Sequence, residues 1–399
     1  MPADPYFKQT VPFTFNRQDY IFNVSQELFS SHDVDIGTQR LLRSFLNSTV
    51  HSPQKILDLG CGYGPIGIVL KKQNPNVEVH FVDRDALALR YARLNCEQNQ
   101  AQENCYFYAS LGYDLVKARD FDLIVSNIPA KVGEKVLRHF LLDAQFHLAK
   151  NGVVAVVIVD AIADTVDEIL THNENVQVLV KKSWPGHRVY HYSFGEKKEI
   201  TSTSAFEGNS YERSAVSFML NDKEVHIKTT YHLREFDELG YDTRQLLTNI
   251  RKLSDSQHTV TIVNPGQGYI PVAVAKWLQP QLLLMIDRDL QALQISQENL
   301  ILNGYPAEEI NLYHQALWEQ IGQKSSAVIG VVPEKQNARV NDVFLTQLAN
   351  GLKENGEALF SSTSTTITRL EGVNKDMRLF DVVWREKSKG NSTLLMRKK

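Results

Sequence analysis

Short apolar runs alternate with amphipathic stretches through the first half of the chain, a pattern typical of strands connected by helices. The amphipathic stretches carry apolar residues three and four positions apart, as one face of a helix requires. The predicted strands are Lys55–Leu59, Val77–Val82, Phe121–Val125 and Val153–Val159, and the predicted helices begin at Pro65, Ala86 and Val136. Such alternation predicts a parallel sheet that is covered by helices on both faces and binds ligands beyond the carboxyl ends of its strands.

The pattern of the first half recurs in the second half. Asp83–Asp85 (DRD) recurs as Asp287–Asp289, again after an apolar run. Ile56–Pro65 (ILDLGCGYGP) resembles Ile262–Pro271 (IVNPGQGYIP), with a shift of two residues relative to the rest of the repeat. Several similar blocks in the same order predict two tandem copies of one domain.

A polar segment separates the two copies. Residues 195–210 (GEKKEITSTSAFEGNS) have no apolar period, so we place the join there and predict domains at 1–198 and 205–399. The chain has 399 residues, of which 43% are hydrophobic, so each copy can bury its own core.

Composition and charge exclude several classes of protein. The chain has 43 Lys and Arg against 46 Asp and Glu, which argues against a polycationic nucleic-acid-binding protein. Three cysteines without a CxxC pair and twelve histidines without HExxH predict neither a disulfide scaffold nor a metal site. The N-terminus lacks a secretory signal, and the longest apolar run, Val153–Val159, is too short to span a bilayer. We therefore expect a cytoplasmic protein without membrane contact.

The segment between the first predicted strand and the first predicted helix is rich in glycine. Gly62, Gly64 and Gly67 match the GxGxxG pattern of dinucleotide-binding loops, and Asp58 precedes them. The glycines let a ligand approach the backbone, whereas the carboxylate repels a pyrophosphate and suits a cation such as the amino group of S-adenosylmethionine. Asp83, at the end of the second strand, can accept hydrogen bonds from the ribose hydroxyls of either ligand.

The glycine loop with its two acids resembles the class I S-adenosylmethionine-dependent methyltransferases. The order of Phe29-Ser30, Asp35–Thr38, the glycine loop and Ser126–Pro129 resembles the methyltransferase small-domain family, which includes bacterial ribosomal RNA guanine-N2 methyltransferases. This resemblance implies an α/β fold of two tandem Rossmann-like methyltransferase domains, the second copy degenerate. It also implies S-adenosylmethionine as cofactor and RNA, ribosomal RNA above all, as substrate.

The resemblance assigns cofactor-binding residues one by one. They are Asp58, Gly60, Gly62, Gly64, Asp83, Ser110 and Thr38. Asp58 and the glycines match the loop around the methionine part, Asp83 matches the ribose-binding acid, and Ser110 ends the third strand near the adenine. Thr38 matches the segment that closes over the cofactor; the alternative is that it is only the N-cap of a helix.

The resemblance places the methyl-acceptor motif at Asn127, Ile128 and Pro129, which we predict to be catalytic. An exocyclic amino nitrogen is a poor nucleophile because its lone pair is delocalised into the ring. The side-chain oxygen of Asn127 and the carbonyl of Ile128 can hold its two N–H groups and turn the lone pair toward the methyl donor. Ile128 stands where the family pattern has a proline, which loosens the backbone, and Ala130 stands where it has an aromatic residue.

The missing aromatic residue keeps other functions open. Base stacking is worth about 1–3 kcal/mol per base, and Phe29, Trp184 or Tyr190 could supply it instead. The leading prediction is methylation of guanine N2 in ribosomal RNA. The alternatives are methylation of an amino or amide group in a protein or small molecule, and a module that binds S-adenosylmethionine or RNA without turnover. The sequence does not indicate an oligomeric state.

The second copy departs further from the pattern. In the shifted alignment, Asn264 replaces the loop acid and Ile270 replaces the third glycine, while Val331 stands where Asn127 stands. Asp287 is retained, but a single acid does not make a site. We therefore expect the second copy to bind no cofactor and to serve stability or substrate binding.

Two further groups of residues could contact RNA or merely face solvent. The stretch from Arg385 to Lys399 carries six basic residues and one acid, and it could form a phosphate-contacting edge. His187 and His191, in a predicted late strand, are interpreted as packing residues.

Overall fold

The computed structural model describes residues 4–46, 53–195, 206, 208–220, 223–254, 258–316, 319, 322–334 and 338–399. Contacts divide the chain into an N-terminal unit, Phe7–Tyr211, and a C-terminal unit, Glu212–Lys399 together with the segment up to Tyr6. Most of the predicted join at 195–210 lies outside the described residues, so the boundaries at 198 and 205 stay predictions.

The N-terminal unit is a sheet of seven strands with helices, preceded by a β-hairpin. Its strands are β1 (Phe7–Phe15), β2 (Gln18–Ser25), β3 (Lys55–Leu59), β4 (Glu78–Asp83), β5 (Cys105–Ala109), β6 (Phe121–Asn127), β7 (Leu148–Val159), β8 (Val176–Trp184) and β9 (His187–Phe194). Its helices are α1 (Ile36–Phe45), α2 (Pro65–Gln73), α3 (Ala86–Gln98), α4 (Glu134–Leu142) and α5 (Ala163–Thr171).

The strand order places a ligand site at the centre of this sheet. The order is β5-β4-β3-β6-β7-β9-β8, and pairing is parallel except at β9 and β8. The chain reverses direction of growth between β3 and β6, which opens a crevice at their carboxyl ends. The loops after β3, β4 and β6 therefore meet at one edge.

The C-terminal unit has the same architecture. Its strands are β10 (Glu212–Leu220), β11 (Lys223–Thr230), β12 (Thr259–Val263), β13 (Leu282–Asp287), β14 (Ile310–His314), β15 (Ser325–Val331), β16 (Leu352–Thr363), β17 (Phe380–Ser388) and β18 (Asn391–Lys398). Its helices are α6 (Tyr241–Asn249), α7 (Tyr269–Trp277), α8 (Leu290–Leu302), α9 (Ala338–Gly351) and α10 (Ser364–Met377). The strand order is β14-β13-β12-β15-β16-β18-β17, with α6, α7 and α8 packed on one face and α9 and α10 on the other.

The structure confirms the predicted α/β class and the two tandem Rossmann-like copies. The predicted strand at Lys55–Leu59 has the observed bounds, and α3 ends one residue before the predicted Asn99. The hairpins and the antiparallel end of each sheet were not part of the prediction. None of the helices in the described part of the chain has the length and apolar character needed to cross a bilayer.

The two glycine loops correspond without any shift in register. Gly64 and Gly268 each directly precede a helix and have φ of 92° and 93°. Gly60 and Asn264 also correspond, because each has positive φ and donates its N–H to the neighbouring strand, β4 or β13. The predicted shift of two residues is therefore wrong.

The corrected register changes what differs in the C-terminal copy. The counterpart of Asp58 is Ile262, so the acid is replaced by an apolar side chain rather than by Asn264. Ile270 corresponds to Ile66, in the first turn of the helix, so the third glycine is retained.

Asparagines on α3 hold the first hairpin against the helix. Asn95 accepts from the N–H of Asn23 at 2.7 Å and donates to the carbonyls of Asn23 and Tyr63 at 3.0 and 2.9 Å. Asn299 makes the same three bonds in the C-terminal unit, to Lys228 and Gln267. The repeated asparagines therefore supply backbone partners to β2 and β11.

We expect Asn95→Ala to lower the free energy of unfolding by roughly 2–4 kcal/mol, because it leaves buried backbone groups without partners. Differential scanning calorimetry of the full chain measures the change as a lower melting temperature. Glu97→Ala, on an exposed position of the same helix, is the control and should change stability little. Equal effects of the two substitutions would contradict the assignment.

Candidate active site

Glycines line the loop between β3 and α2. Gly60 and Gly62 have φ of 71° and 56°, and a Cβ at either would meet no atom within 4 Å. Gly64 has φ of 92° and packs instead, because its Cβ would lie 2.9 Å from the side chain of Ile68. The first two glycines thus present bare backbone to open space, where a ligand can approach closely.

Asp58 lies beneath this loop and is buried. Its Oδ2 accepts from the N–H of Gly67 at 2.8 Å, whereas its buried Oδ1 has no hydrogen-bond partner within the described part of the chain. Burial raises the pKa of Asp58 to about 7, and the charge of Asp83 adds to the rise. An unsatisfied buried carboxylate oxygen is costly and invites a cationic donor.

Asp83 ends β4 and faces the same loop. Its Oδ2 accepts from the N–H of Gly62 at 2.9 Å, and its Oδ1 accepts from the N–H of Asp85 at 2.9 Å. These bonds fix the carboxylate beside the glycine loop and leave each oxygen a further lone pair for ligand hydroxyls.

Asn127 ends β6, and its side-chain orientation is determined by its neighbours. The amide nitrogen donates to Oδ2 of Asp35 at 2.8 Å and to Oγ1 of Thr38 at 3.1 Å. A carboxylate only accepts hydrogen bonds, so the amide nitrogen must face Asp35 and the Oδ1 atom must face away. Among the described residues no donor binds that Oδ1 atom, which leaves it able to accept.

The carboxylate of Asp35 also caps α1. It accepts from the N–H of Thr38 at 3.2 Å, so Asp35 is the N-cap, and the alternative that Thr38 is the cap is wrong. A Cβ at Gly37 would lie 2.8 Å from Oδ2 of Asp35 and 3.0 Å from the ring of His187. Only glycine leaves room for both neighbours.

His187 belongs to this region, which the packing interpretation missed. Arg40 binds Nδ1 of His187 at 2.9 Å. Since a guanidinium only donates, Nδ1 accepts and the proton of the neutral ring is on Nε2. The signal in the sequence was the position of His187 directly after the turn at Gly186. His191 is a packing residue, since it is buried and bonded to Ser44.

The corresponding positions of the C-terminal unit have lost this arrangement. Ile262 replaces Asp58 and Pro271 replaces Gly67, so the acceptor and the N–H donor of one hydrogen bond are both absent. The side chain of Asn264, at the place of Gly60, donates to the carbonyl of Val331 at 2.9 Å. It therefore crosses the space that is left open above Gly60 in the N-terminal unit.

Comparison with known proteins identifies the family. The model of the methyltransferase small domain matches residues 19–206. The uncharacterized protein YbxB of Bacillus subtilis is 32% identical over 151 residues, which are 38% of this chain and 74% of that protein. The chain belongs to the methyltransferase small-domain family.

Other members of this family are longer relative to the match. Ribosomal RNA small subunit methyltransferase C of Haemophilus influenzae is 35% identical over 134 residues, 33% of this chain and 39% of that protein. The match thus spans less than half the length of that enzyme. The structure of the T. thermophilus 16S rRNA N2 methyltransferase, in complex with AdoMet and guanosine, aligns with a TM-score of 0.69 over 98% of both chains at 14% identity, which shows a shared fold.

Most of the predicted site residues of this family member converge at the crevice. Asp58, the loop glycines and Asp83 surround the β3–α2 loop, and Thr38 contacts Asn127. Ser110 differs: it is buried, and its hydroxyl accepts from the N–H of Leu115 at 2.9 Å. Its contact with a cofactor stays a prediction.

The backbone after Asn127 is anchored despite the missing proline. Ile128 is buried and donates its N–H to the carbonyl of Val157 at 2.9 Å. A proline has no N–H, so isoleucine gains a bond to β7 that proline cannot make. The expectation of a loosened backbone is therefore wrong. Pro129 follows in an extended loop, next to the exposed Ala130.

The three aromatic candidates for base stacking are placed differently. Tyr190 is buried and its hydroxyl donates to Asp167 at 3.1 Å, which excludes it from stacking. Trp184 is half-buried at the end of β8. Phe29 is 75% exposed and precedes the segment that carries Asp35.

The N-terminal unit fits S-adenosylmethionine as its cofactor. The buried Oδ1 of Asp58 suits the cationic amino group, the bare backbone of Gly60 and Gly62 leaves room for the ligand, and Asp83 suits ribose hydroxyls. The described residues contain no group of three or more His, Cys, Asp or Glu that could hold a metal ion.

We expect affinity for S-adenosylmethionine to fall as the pH drops below about 7, approaching a tenfold loss per pH unit. The pKa of Asp58 is raised to about 7, so its carboxylate becomes neutral below that pH and no longer attracts the amino group. Isothermal titration calorimetry between pH 5.5 and 8.5 measures the dependence.

Asp58→Asn should weaken binding at pH 8 and remove the pH dependence. Asp83→Asn is the control; it should weaken binding but keep the dependence, with a lower midpoint, because the charge of Asp83 contributes to the raised pKa of Asp58. An unchanged pH dependence in Asp58→Asn would contradict the assignment.

Proposed function

We propose that this protein is an S-adenosylmethionine-dependent N-methyltransferase that acts on guanine N2 in ribosomal RNA. The orientation of Asn127 carries the proposal. Its amide nitrogen is held by Asp35 and Thr38, and its oxygen remains available at the carboxyl end of β6. The site thus offers an acceptor for an amino N–H beside the loop that fits the cofactor.

The residues of the site activate the amino group by position. The bound cofactor supplies an electrophilic methyl group. The Oδ1 of Asn127 and the carbonyl of Ile128 accept the two N–H groups, so that the nitrogen lone pair points away from the ring plane. The nitrogen forms its bond to the methyl carbon as the carbon–sulfur bond breaks, and one N–H proton then leaves to solvent. Positioning and local electrostatics supply the rate enhancement, without a strong base.

Asp35 acts as a positioning residue for this chemistry. It binds Asn127 and caps α1 with the same oxygen, so the orientation of the amide depends on the start of the helix. Gly37 preserves the space that this carboxylate needs.

The names of the relatives support ribosomal RNA as the substrate. The match to small subunit methyltransferase C of H. influenzae is joined by one to ribosomal RNA large subunit methyltransferase G of Yersinia pestis, 31% identical over 155 residues. Both names specify ribosomal RNA, but different subunits, so the subunit is left to experiment. With this substrate we place the protein in the cytoplasm.

The C-terminal unit, in this proposal, is a degenerate copy without a cofactor. Ile262 cannot accept the hydrogen bonds that Asp58 accepts, and the side chain of Asn264 extends into the space a cofactor requires. Val331, at the place of Asn127, offers no side-chain acceptor. The unit retains the sheet and helices, which suits a role in stability or in substrate binding.

The test is methylation of ribosomal RNA from cells that lack the protein. The purified chain and labelled S-adenosylmethionine should form N2-methylguanosine, detected by nucleoside mass spectrometry, in one subunit's RNA. Asn127→Ala should lower kcat by roughly 10²-fold or more while the affinity for S-adenosylmethionine stays nearly unchanged, since one positioned polar group of the transition state is lost.

Lys150→Ala, on an exposed turn within β7, is the control and should keep full activity. Transfer to a protein or a small molecule but not to RNA would overturn the proposed substrate. Undiminished turnover by Asn127→Ala would overturn the mechanism, and binding of the cofactor without transfer to any of these substrates would favour a binding module.

A further inference from the structure

Ion pairs neutralise most of the basic C-terminal stretch. Four of its six cations have acidic partners: Arg385 with Glu371, Arg397 with Glu357, Lys398 with Glu354 and Lys399 with Asp381. A paired cation has little charge to offer a phosphate. The expectation that the whole stretch forms a phosphate-contacting edge is therefore wrong, and only Lys387 and Lys389 remain without an ion pair among the described residues.

These two lysines lie beside α6 rather than at the chain terminus. Lys389 is in the turn between β17 and β18, and its Nζ lies 4.8 Å from the ring centroid of Tyr241, the first residue of α6. Further along, Nζ of Lys252 lies 3.9 Å from the ring centroid of Trp384 on β17. A cation over an aromatic face holds both groups in place.

These contacts define a continuous surface, which we name the basic–aromatic strip. It consists of Tyr241, Arg244, Lys252, Trp384, Lys387 and Lys389. The four cations are exposed, and none of them forms an ion pair within the described residues. Glu386, an acid between them, is held by Asn249 through a 2.8 Å hydrogen bond. From Tyr241 to Lys252 the strip is about 17 Å long at helical rise.

The strip occupies the substrate side of the degenerate copy. Tyr241 corresponds to Ile36 at the start of α1, and Lys389 corresponds to Pro185 in the turn before His187. In the N-terminal unit, these positions flank Asp35 and hence Asn127. The same place in the C-terminal unit carries a lysine and an exposed tyrosine instead, which together suit a phosphate and a base.

We propose that the basic–aromatic strip binds the RNA substrate through its phosphates, with Tyr241 stacking on an unpaired base. Exposed cations interleaved with aromatic rings are the chemistry of single-stranded nucleic-acid binding. The inference rests on the proposed function, because it assumes that the substrate is RNA. It gives the C-terminal unit a part in substrate binding that needs no cofactor.

The test measures RNA binding in the absence of S-adenosylmethionine, so it does not depend on methyl transfer. Fluorescence anisotropy of a labelled single-stranded RNA oligonucleotide is recorded with the full chain over a range of salt concentrations. The variant R244Q/K387Q/K389Q removes three charges of the strip. The control R369Q/K353Q/K375Q removes three exposed charges from elsewhere in the same unit, two of them on α10, which packs on the opposite face of the sheet from α6.

We expect the strip variant to weaken binding about tenfold or more and to flatten the log–log salt dependence by about 2, since each lost phosphate contact on a single strand contributes about 0.7. Tyr241→Ala should weaken binding about fivefold or more without changing the salt dependence by as much. The control variant should bind close to the wild type. Matching thermal melts exclude unfolding, and K387R/K389R should restore binding should the glutamine variant melt early.

Equal losses in the strip and control variants, or wild-type affinity in the strip variant, would overturn the proposal. Strip-dependent RNA binding without methylation of ribosomal RNA would instead overturn the proposed function and leave the strip intact. Methylation with no effect of the strip would do the reverse.

Discussion

A buried carboxylate oxygen with no donor is the constraint on which the site depends. Asp58 keeps one oxygen bonded to the N–H of Gly67 and leaves the other without a partner among the described residues, beneath a loop of bare glycine backbone. Such a group costs free energy in the isolated protein and gains it back when a cation binds. The C-terminal copy removes the problem from both sides, since Ile262 lacks the acceptor and Pro271 lacks the donor. The copies thus share a fold and differ in this one polar requirement.

The second requirement is a defined direction for the Asn127 amide. Asp35 and Thr38 reach it from a segment far away in the sequence, and the carboxylate that orients the amide also starts α1. Helix start, side-chain orientation and acceptor geometry are therefore linked through one oxygen atom. The fold delivers this link because β6 and α1 end and begin at the same edge of the sheet.

Much of this could be predicted from the sequence, and the misses have physical causes. Alternating apolar runs and the glycine loop predicted the strands, the two copies and the residues around Asp58 and Asp83. The register of the second loop was misread because GCGYGP and GQGYIP match best by letter with a shift. Asparagine tolerates the left-handed conformation, so Asn264 takes the place of a glycine without moving the loop. Contacts such as Arg40 to His187 join distant segments, and the sequence carries no local signal for them.

The central claim is an asymmetry: one copy binds the cofactor and the other does not. The most direct measurement is the stoichiometry of S-adenosylmethionine binding to the full chain by equilibrium dialysis. The account predicts one molecule per chain, lost when Asp58 and Asp83 are both replaced by alanine. Two molecules per chain, or one that survives this double substitution, would contradict it.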